Sequence, residues 1–187
     1  MKKDIKQNVQ AIDLGLPSGT KWADRNIGAA NPEYTGLYFS WGNTEGHEAG
    51  KDYSFYRYEY EETPGYKLKK NIGLKHDAAR VNLGKPWKMP TKEQFQELVD
   101  NCTSERATLN GYLGRLFTSK INGNSIFLPF AGYIYGTSLD DRGSNGLYWS
   151  SSLGSRTYGY RLYFNSSYVN PAGHDSRFNG FSVRAVQ

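Results

Sequence analysis

The chain has 187 residues and a mass of 21.1 kDa, with 37% hydrophobic residues and a mean hydropathy of -0.71; that is one domain's worth of chain, long enough to bury a core without disulfides and too polar for a membrane protein. A single cysteine, Cys102, and three scattered histidines, His47, His76 and His174, argue against a disulfide framework, a cysteine-based zinc cluster and a paired-histidine metal site. The net charge is +5, but Lys67, Lys69 and Lys70 sit beside Glu59, Glu61 and Glu62, so the basic balance reads as a mixed-charge surface and not as a nucleic-acid site.

Residues 13–19 are turn-rich, and 20–23 follow as a short strand. Residues 37–42 form a second, aromatic strand. The stretch 43–74 is polar, Tyr-rich and aperiodic, and is expected to be a long surface excursion. Residues 76–82 predict a short helix, with Gly84 as its stop. The clearest helix runs over 92–102. Thr91 is its N-cap, Gln94 completes a capping box, and Phe95, Leu98, Val99 and Cys102 share one apolar face. Cys102 is expected to be buried and inert, because no activating histidine is local.

Strands are expected at 125–130, 132–136, 148–152, 158–165 and 181–186. In the fourth, Tyr160, Leu162 and Phe164 fall on one face as core, and Gly159, Arg161 and Tyr163 on the other as display. The composition also shifts along the chain. No lysine follows Lys120, and residues 141–186 contain no Lys, Glu, Gln or Met. Those residues are rich in Ser, Gly, Asn, Tyr and Arg, yet they keep enough aromatic and aliphatic side chains to fold.

The landmarks Asp13-Leu14-Gly15-Leu16-Pro17-Ser18-Gly19-Thr20-Lys21-Trp22, Tyr38-Phe39-Ser40-Trp41-Gly42, Trp87-Lys88-Met89-Pro90-Thr91, Tyr148-Trp149-Ser150-Ser151 and Gly180-Phe181-Ser182-Val183-Arg184 span nearly the whole chain. Together they resemble the FISUMP-like family, in the formylglycine-generating-enzyme branch of the C-type lectin fold. The resemblance implies an α+β fold of that kind: short antiparallel sheets, two helices and long loops in one domain over 1–187. Residues 1–130 would be mostly scaffold, and about 134–187 a C-terminal variable region.

Variable proteins of diversity-generating retroelements use the same fold and vary near the C-terminus. Their AAC-type asparagine codons are rewritten to residues such as Tyr, Ser, Gly, Arg, His, Asp and Phe, and cannot become Lys, Glu, Gln, Met or Trp. Residues 141–186 fit that spectrum, with Trp149 in the fixed frame. The implied variable set is Leu153, Gly154, Ser155, Arg156, Thr157, Tyr158, Arg161, Tyr163, Tyr168, Gly173, His174, Asp175, Ser176 and Phe178. Ile134, Asp140, Asp141 and Leu147 are weaker candidates. Tyr, Ser, Gly and Asn are also what antibody paratopes use for contact area and adaptable hydrogen bonding.

The expectation is therefore a non-catalytic binding protein with no cofactor and no metal. Its target would be a macromolecule, such as a bacterial surface protein or glycan. The enzyme branch of the fold needs a C-terminal cysteine pair that this chain lacks, and the calcium loops of sugar-binding lectins are missing. His174-Asp175 with Ser150–Ser152 could suggest a triad, but no Gly-x-Ser-x-Gly elbow accompanies them. The start of the chain has no apolar stretch. That points to a virion tail-associated protein or to the cytoplasm of the producing cell, with the cell surface following if an export signal has been removed. The alternative is a non-variable cell-surface or secreted module binding glycan or protein.

Overall fold

The computed structural model describes residues 8–49 and 70–187. Most of the expected 43–74 excursion, with Lys67 and Lys69, lies outside the described residues. Its described flanks are tied to the sheet and not looped away from it. His47 bridges Tyr38, Asn71 bridges Ser152, and the Ile72 amide donates to the Ser151 carbonyl at 2.8 Å.

The chain opens with an antiparallel pair, β1 (Ala11–Asp13) and β2 (Lys21–Ala23), followed by the short β3 (Tyr38–Phe39). A 3-10 turn at Leu74–His76 leads into α1 (Ala78–Leu83). The Asp77 carboxylate caps α1 by accepting from the Arg80 amide at 2.9 Å, and it also accepts from the Met89 amide. Gly84 ends α1 with φ 78°, a conformation open to glycine. The helix α2 (Lys92–Asn101) starts with the expected capping box: Thr91 Oγ1 accepts from the Gln94 amide, and Gln94 Oε1 accepts from the Thr91 amide.

A long hairpin follows, β4 (Cys102–Leu109) and β5 (Tyr112–Ser119), which pairs on with β6 (Ser125–Pro129) as a three-stranded sheet. Next come a small hairpin, β7 (Tyr133–Tyr135) and β8 (Ser138–Asp140), and then β9 (Gly146–Leu153), β10 (Tyr158–Phe164), β11 (Val169–Ser176) and β12 (Phe181–Ser182). The main sheet has the order β11-β10-β9-β12-β3, so β11 is an edge.

The main sheet is covered on both faces, as the alternation along β9 requires. Tyr148, Leu162 and Phe164 point into one cluster with Phe95 and Leu98 of α2 and Phe117 and Leu128 of the three-stranded sheet. Leu147, Trp149 and Phe181 point the other way, into a cluster with Trp41, Ala79, Trp87 and Met89. Arg184 ties the layers together with no solvent exposure: it donates to Asn26 Oδ1 at 2.8 Å, the Ala23 carbonyl at 3.1 Å and the Phe127 carbonyl at 2.8 Å. Burial lowers its guanidinium to about 10, which leaves it charged at neutral pH.

The expected α+β class is corrected here. Strand makes up 41% and helix only 12%, in several small sheets with two helices, so the protein is mostly β. The α+β expectation came from the family resemblance, and much of the extra strand lies in residues 102–119, which carry no aliphatic alternation strong enough to announce strands. Their hairpin is set instead by Asn110-Gly111, both at positive φ (48° and 86°), the signature of a two-residue turn matched to strand twist. With one strand of the pair half polar and solvated, sequence hydrophobicity alone missed it.

Candidate functional site: the edge hairpin

The β10–β11 hairpin carries most of the implied variable set. Its register places Tyr160 opposite His174, Arg161 opposite Gly173 and Tyr163 opposite Asn170, with a shift between Arg161 and Tyr163. Leu162 and Phe164 are fully buried, as expected of frame residues. Tyr160 departs from the expectation and is only half buried, because beyond Leu162 the core gives way to Lys92, whose ammonium lies 4.3 Å from the Tyr160 ring.

Alternation divides the set between the two faces of the hairpin. On one face His174, which is exposed, meets Tyr158 edge-on at 5.3 Å and Tyr160 at 6.4 Å. On the other, Arg161 Nε donates to Asp175 Oδ2 at 3.1 Å, and its guanidinium lies 5.0 Å from the Tyr163 ring. Tyr163 continues to Tyr168 at 6.1 Å, and its hydroxyl donates to Asn145 Oδ1 at 3.3 Å. The single contiguous surface expected from sequence is thus divided between two faces of the hairpin, with Arg161, Tyr163, Tyr168 and Asp175 together on one and Tyr158, Tyr160 and His174 on the other.

At the turn from β9 into β10, Gly154, Ser155 and Arg156 are exposed, Thr157 is half buried, and Tyr158 is 41% exposed. Ser155 Oγ accepts from the Thr157 and Tyr158 amides, so this turn is tight. Ser176 and Phe178 are half buried, and Phe178 lies 5.8 Å from Tyr135. Several expectations are corrected. Leu153 packs on the core, Gly173 is buried beneath Arg161, and Ile134 (0% exposed) and Leu147 (4%) are core residues. Leu153, Ile134 and Leu147 lie on the inward phases of their strands, whereas Gly173 shares the face of Arg161 and is covered by its guanidinium.

The residues missed are the neighbours of Ile134. Tyr135 is 56% exposed, and Tyr133 stacks edge-on against Phe181 at 6.1 Å. Burial first, and then the charges of Asp140, Asp141 and Asp175, raise the Tyr133 phenol, so it stays protonated and able to donate. A period-2 reading of residues 133–135 contained this signal, since an inward Ile134 requires outward tyrosines on both sides.

Among the described residues, the serine, aspartate and cysteine candidates are not arranged around a nucleophile. Ser150, Ser151 and Ser152 are buried, and Asp175 is engaged by Arg161, Asn179 and its own turn, away from His174. Cys102 is buried, and desolvation pushes its thiol up to about 11, the wrong direction for a thiolate nucleophile. Among the described residues no group of three or more His, Cys, Asp or Glu side chains could hold a metal ion, and no helix is long and apolar enough to cross a membrane.

The chain is thus a mostly β domain whose main sheet ends in a polar, aromatic edge hairpin. The chain belongs to the family described as a domain of unknown function, DUF8237, whose model matches residues 36–186. No curated protein and no solved structure matches the chain, so the expected C-type lectin fold has no structural neighbour behind it.

Proposed function

We propose that the protein is a non-catalytic recognition module whose β10–β11 hairpin and adjoining 154–158 turn form changeable contact surfaces for a macromolecular target. In this reading it resembles the variable proteins of diversity-generating retroelements. One observation carries it. The residues whose types fit rewritten asparagine codons, Arg161, Tyr163, Tyr168, His174 and Asp175, stand on an edge hairpin, while Leu162 and Phe164 between them anchor it in the core. Tyr168 and His174 are exposed and can change at little cost in stability, and Arg161, Tyr163 and Asp175 are half-buried at the surface above the core that Leu162 and Phe164 anchor.

The contact chemistry is that of a paratope. Tyr supplies area at low entropic cost, and Arg, Asp and Asn supply adaptable polar contacts. The target is a bacterial surface protein or glycan, met from a virion or a cell surface. The experiment is an exchange of residues 154–158, 161, 163, 168, 173–176 and 178 between two natural variants, followed by binding to panels of whole bacterial cells. Specificity that travels with the exchanged residues supports the proposal. Specificity that stays with the scaffold overturns it and leaves the non-variable adhesive module in its place.

A further inference from the structure

Gly173 stands directly across the hairpin from Arg161. A Cβ built on Gly173 would lie 2.6 Å from Arg161 Nη1, closer than real Cβ atoms approach a neighbour, and a tight 3.2 Å from its Cζ. The guanidinium therefore lies flat over the bare glycine. It is held there by Asp175 at 3.1 Å and by the Tyr163 ring at 5.0 Å, and its side chain is only 16% exposed. Nη1 is buried without a hydrogen-bond partner, which marks the pose as one imposed by packing. Gly173 does not have a left-handed φ, so an alanine there meets the guanidinium as its only obstacle.

We propose that residue 173 is a specificity-determining position that sets the pose of Arg161; the inference rests on reading this hairpin as the contact surface. With glycine at 173, the cation is folded down onto Asp175, and the hairpin presents neutral tyrosines, Tyr163 and Tyr168. With any side chain at 173, the guanidinium is lifted off and turned toward solvent. The same hairpin then offers an unpaired cation suited to an anionic target group, a carboxylate or a phosphate. Positions 161 and 173 thus act as one unit, and a change at 173 alters the surface without adding a contact of its own.

The test is phenylglyoxal labelling of the full chain, read at each arginine by mass spectrometry, for the parent and Gly173→Ala. The expected result is a several-fold rise in labelling at Arg161, toward the rate at exposed Arg106 and Arg142, while fully buried Arg184 stays unlabelled. Labelling of Arg161 that stays at the parent's rate overturns the proposal. A double-mutant cycle decides the case in which Gly173→Ala also loosens the fold. Gly173→Ala should lower Tm by about 2–4 °C in the parent and by nothing measurable beside Arg161→Ala. Equal losses in both backgrounds overturn the coupling. Neither measurement uses a target, so their failure is distinct from failure of the variant exchange, which bears on the contact surface itself.

Discussion

Phe164→Ala and Tyr168→Ala, four residues apart, separate frame from surface. Phe164 has no solvent exposure and touches three aromatic rings: Tyr148 stacked at 5.6 Å, Phe130 at 5.8 Å and Phe117 at 6.0 Å. Its truncation removes a full aromatic payload and leaves a cavity that the sheet cannot close, a cost of about 3–5 kcal/mol. Tyr168 is 53% exposed and has one tilted ring neighbour, Tyr163. Its truncation should cost less than about 0.5 kcal/mol. In urea, with a slope of about 2 kcal/mol per molar, the midpoint should fall by roughly 1.5–2.5 M for Phe164→Ala and by less than ~0.25 M for Tyr168→Ala. A total stability of about 5–15 kcal/mol leaves the larger loss measurable, and Phe164→Leu provides a milder variant if it is not. Similar midpoint shifts for the two truncations would refute the division of the hairpin into anchor and display.

Arg184→Met should destabilise by about 3–5 kcal/mol in thermal or chemical denaturation, because it strands three buried acceptors: Asn26 Oδ1 and the Ala23 and Phe127 carbonyls. His47 binds its proton more weakly when folded than its ordinary 6.5, chiefly through burial, with Glu45 opposing. The unfolded chain therefore protonates first as pH falls; stability should decline from about pH 6.5 downward, and His47→Gln should flatten that slope in denaturation series at pH 5–8. Cys102 should resist thiol reagents at pH 8 until the chain is unfolded, since burial holds its thiol at about 11. Reaction at the rate of a free thiol would contradict that burial. EDTA should leave Tm unchanged, and a large drop would reveal a metal requirement.

Much of the frame was legible because it depends on local rules. The capping box at Thr91 and Gln94, the stop at Gly84, and the inward Leu162 and Phe164 follow from side-chain chemistry and from the period of helix or strand. The β4–β5 hairpin was hidden because Thr103, Glu105, Arg106 and Thr108 make an edge strand with little apolar signal, and only Asn110-Gly111 marked it. Arg184 was readable as a landmark residue but not as a clamp, because its three partners come from distant parts of the chain.

The candidate site was readable as a set of positions and less so as a shape. Strand alternation put Arg161 and Tyr163 on one face, but only the register across β10–β11 shows His174 behind them and Gly173 beneath Arg161. Tyr135 of β7 and Phe178 of the turn after β11 meet in space, a contact that no spacing in the sequence encodes.

Diversification of this hairpin is tested most directly by sequencing the gene and its flanks from many sibling genomes of one population. Substitutions should concentrate at codons for 154–158, 161, 163, 168, 173–176 and 178, with Trp149, Leu162, Phe164 and Arg184 unchanged and a near-identical template repeat beside a reverse-transcriptase gene. Substitutions spread evenly over frame and surface codons, with no such repeat, would contradict it.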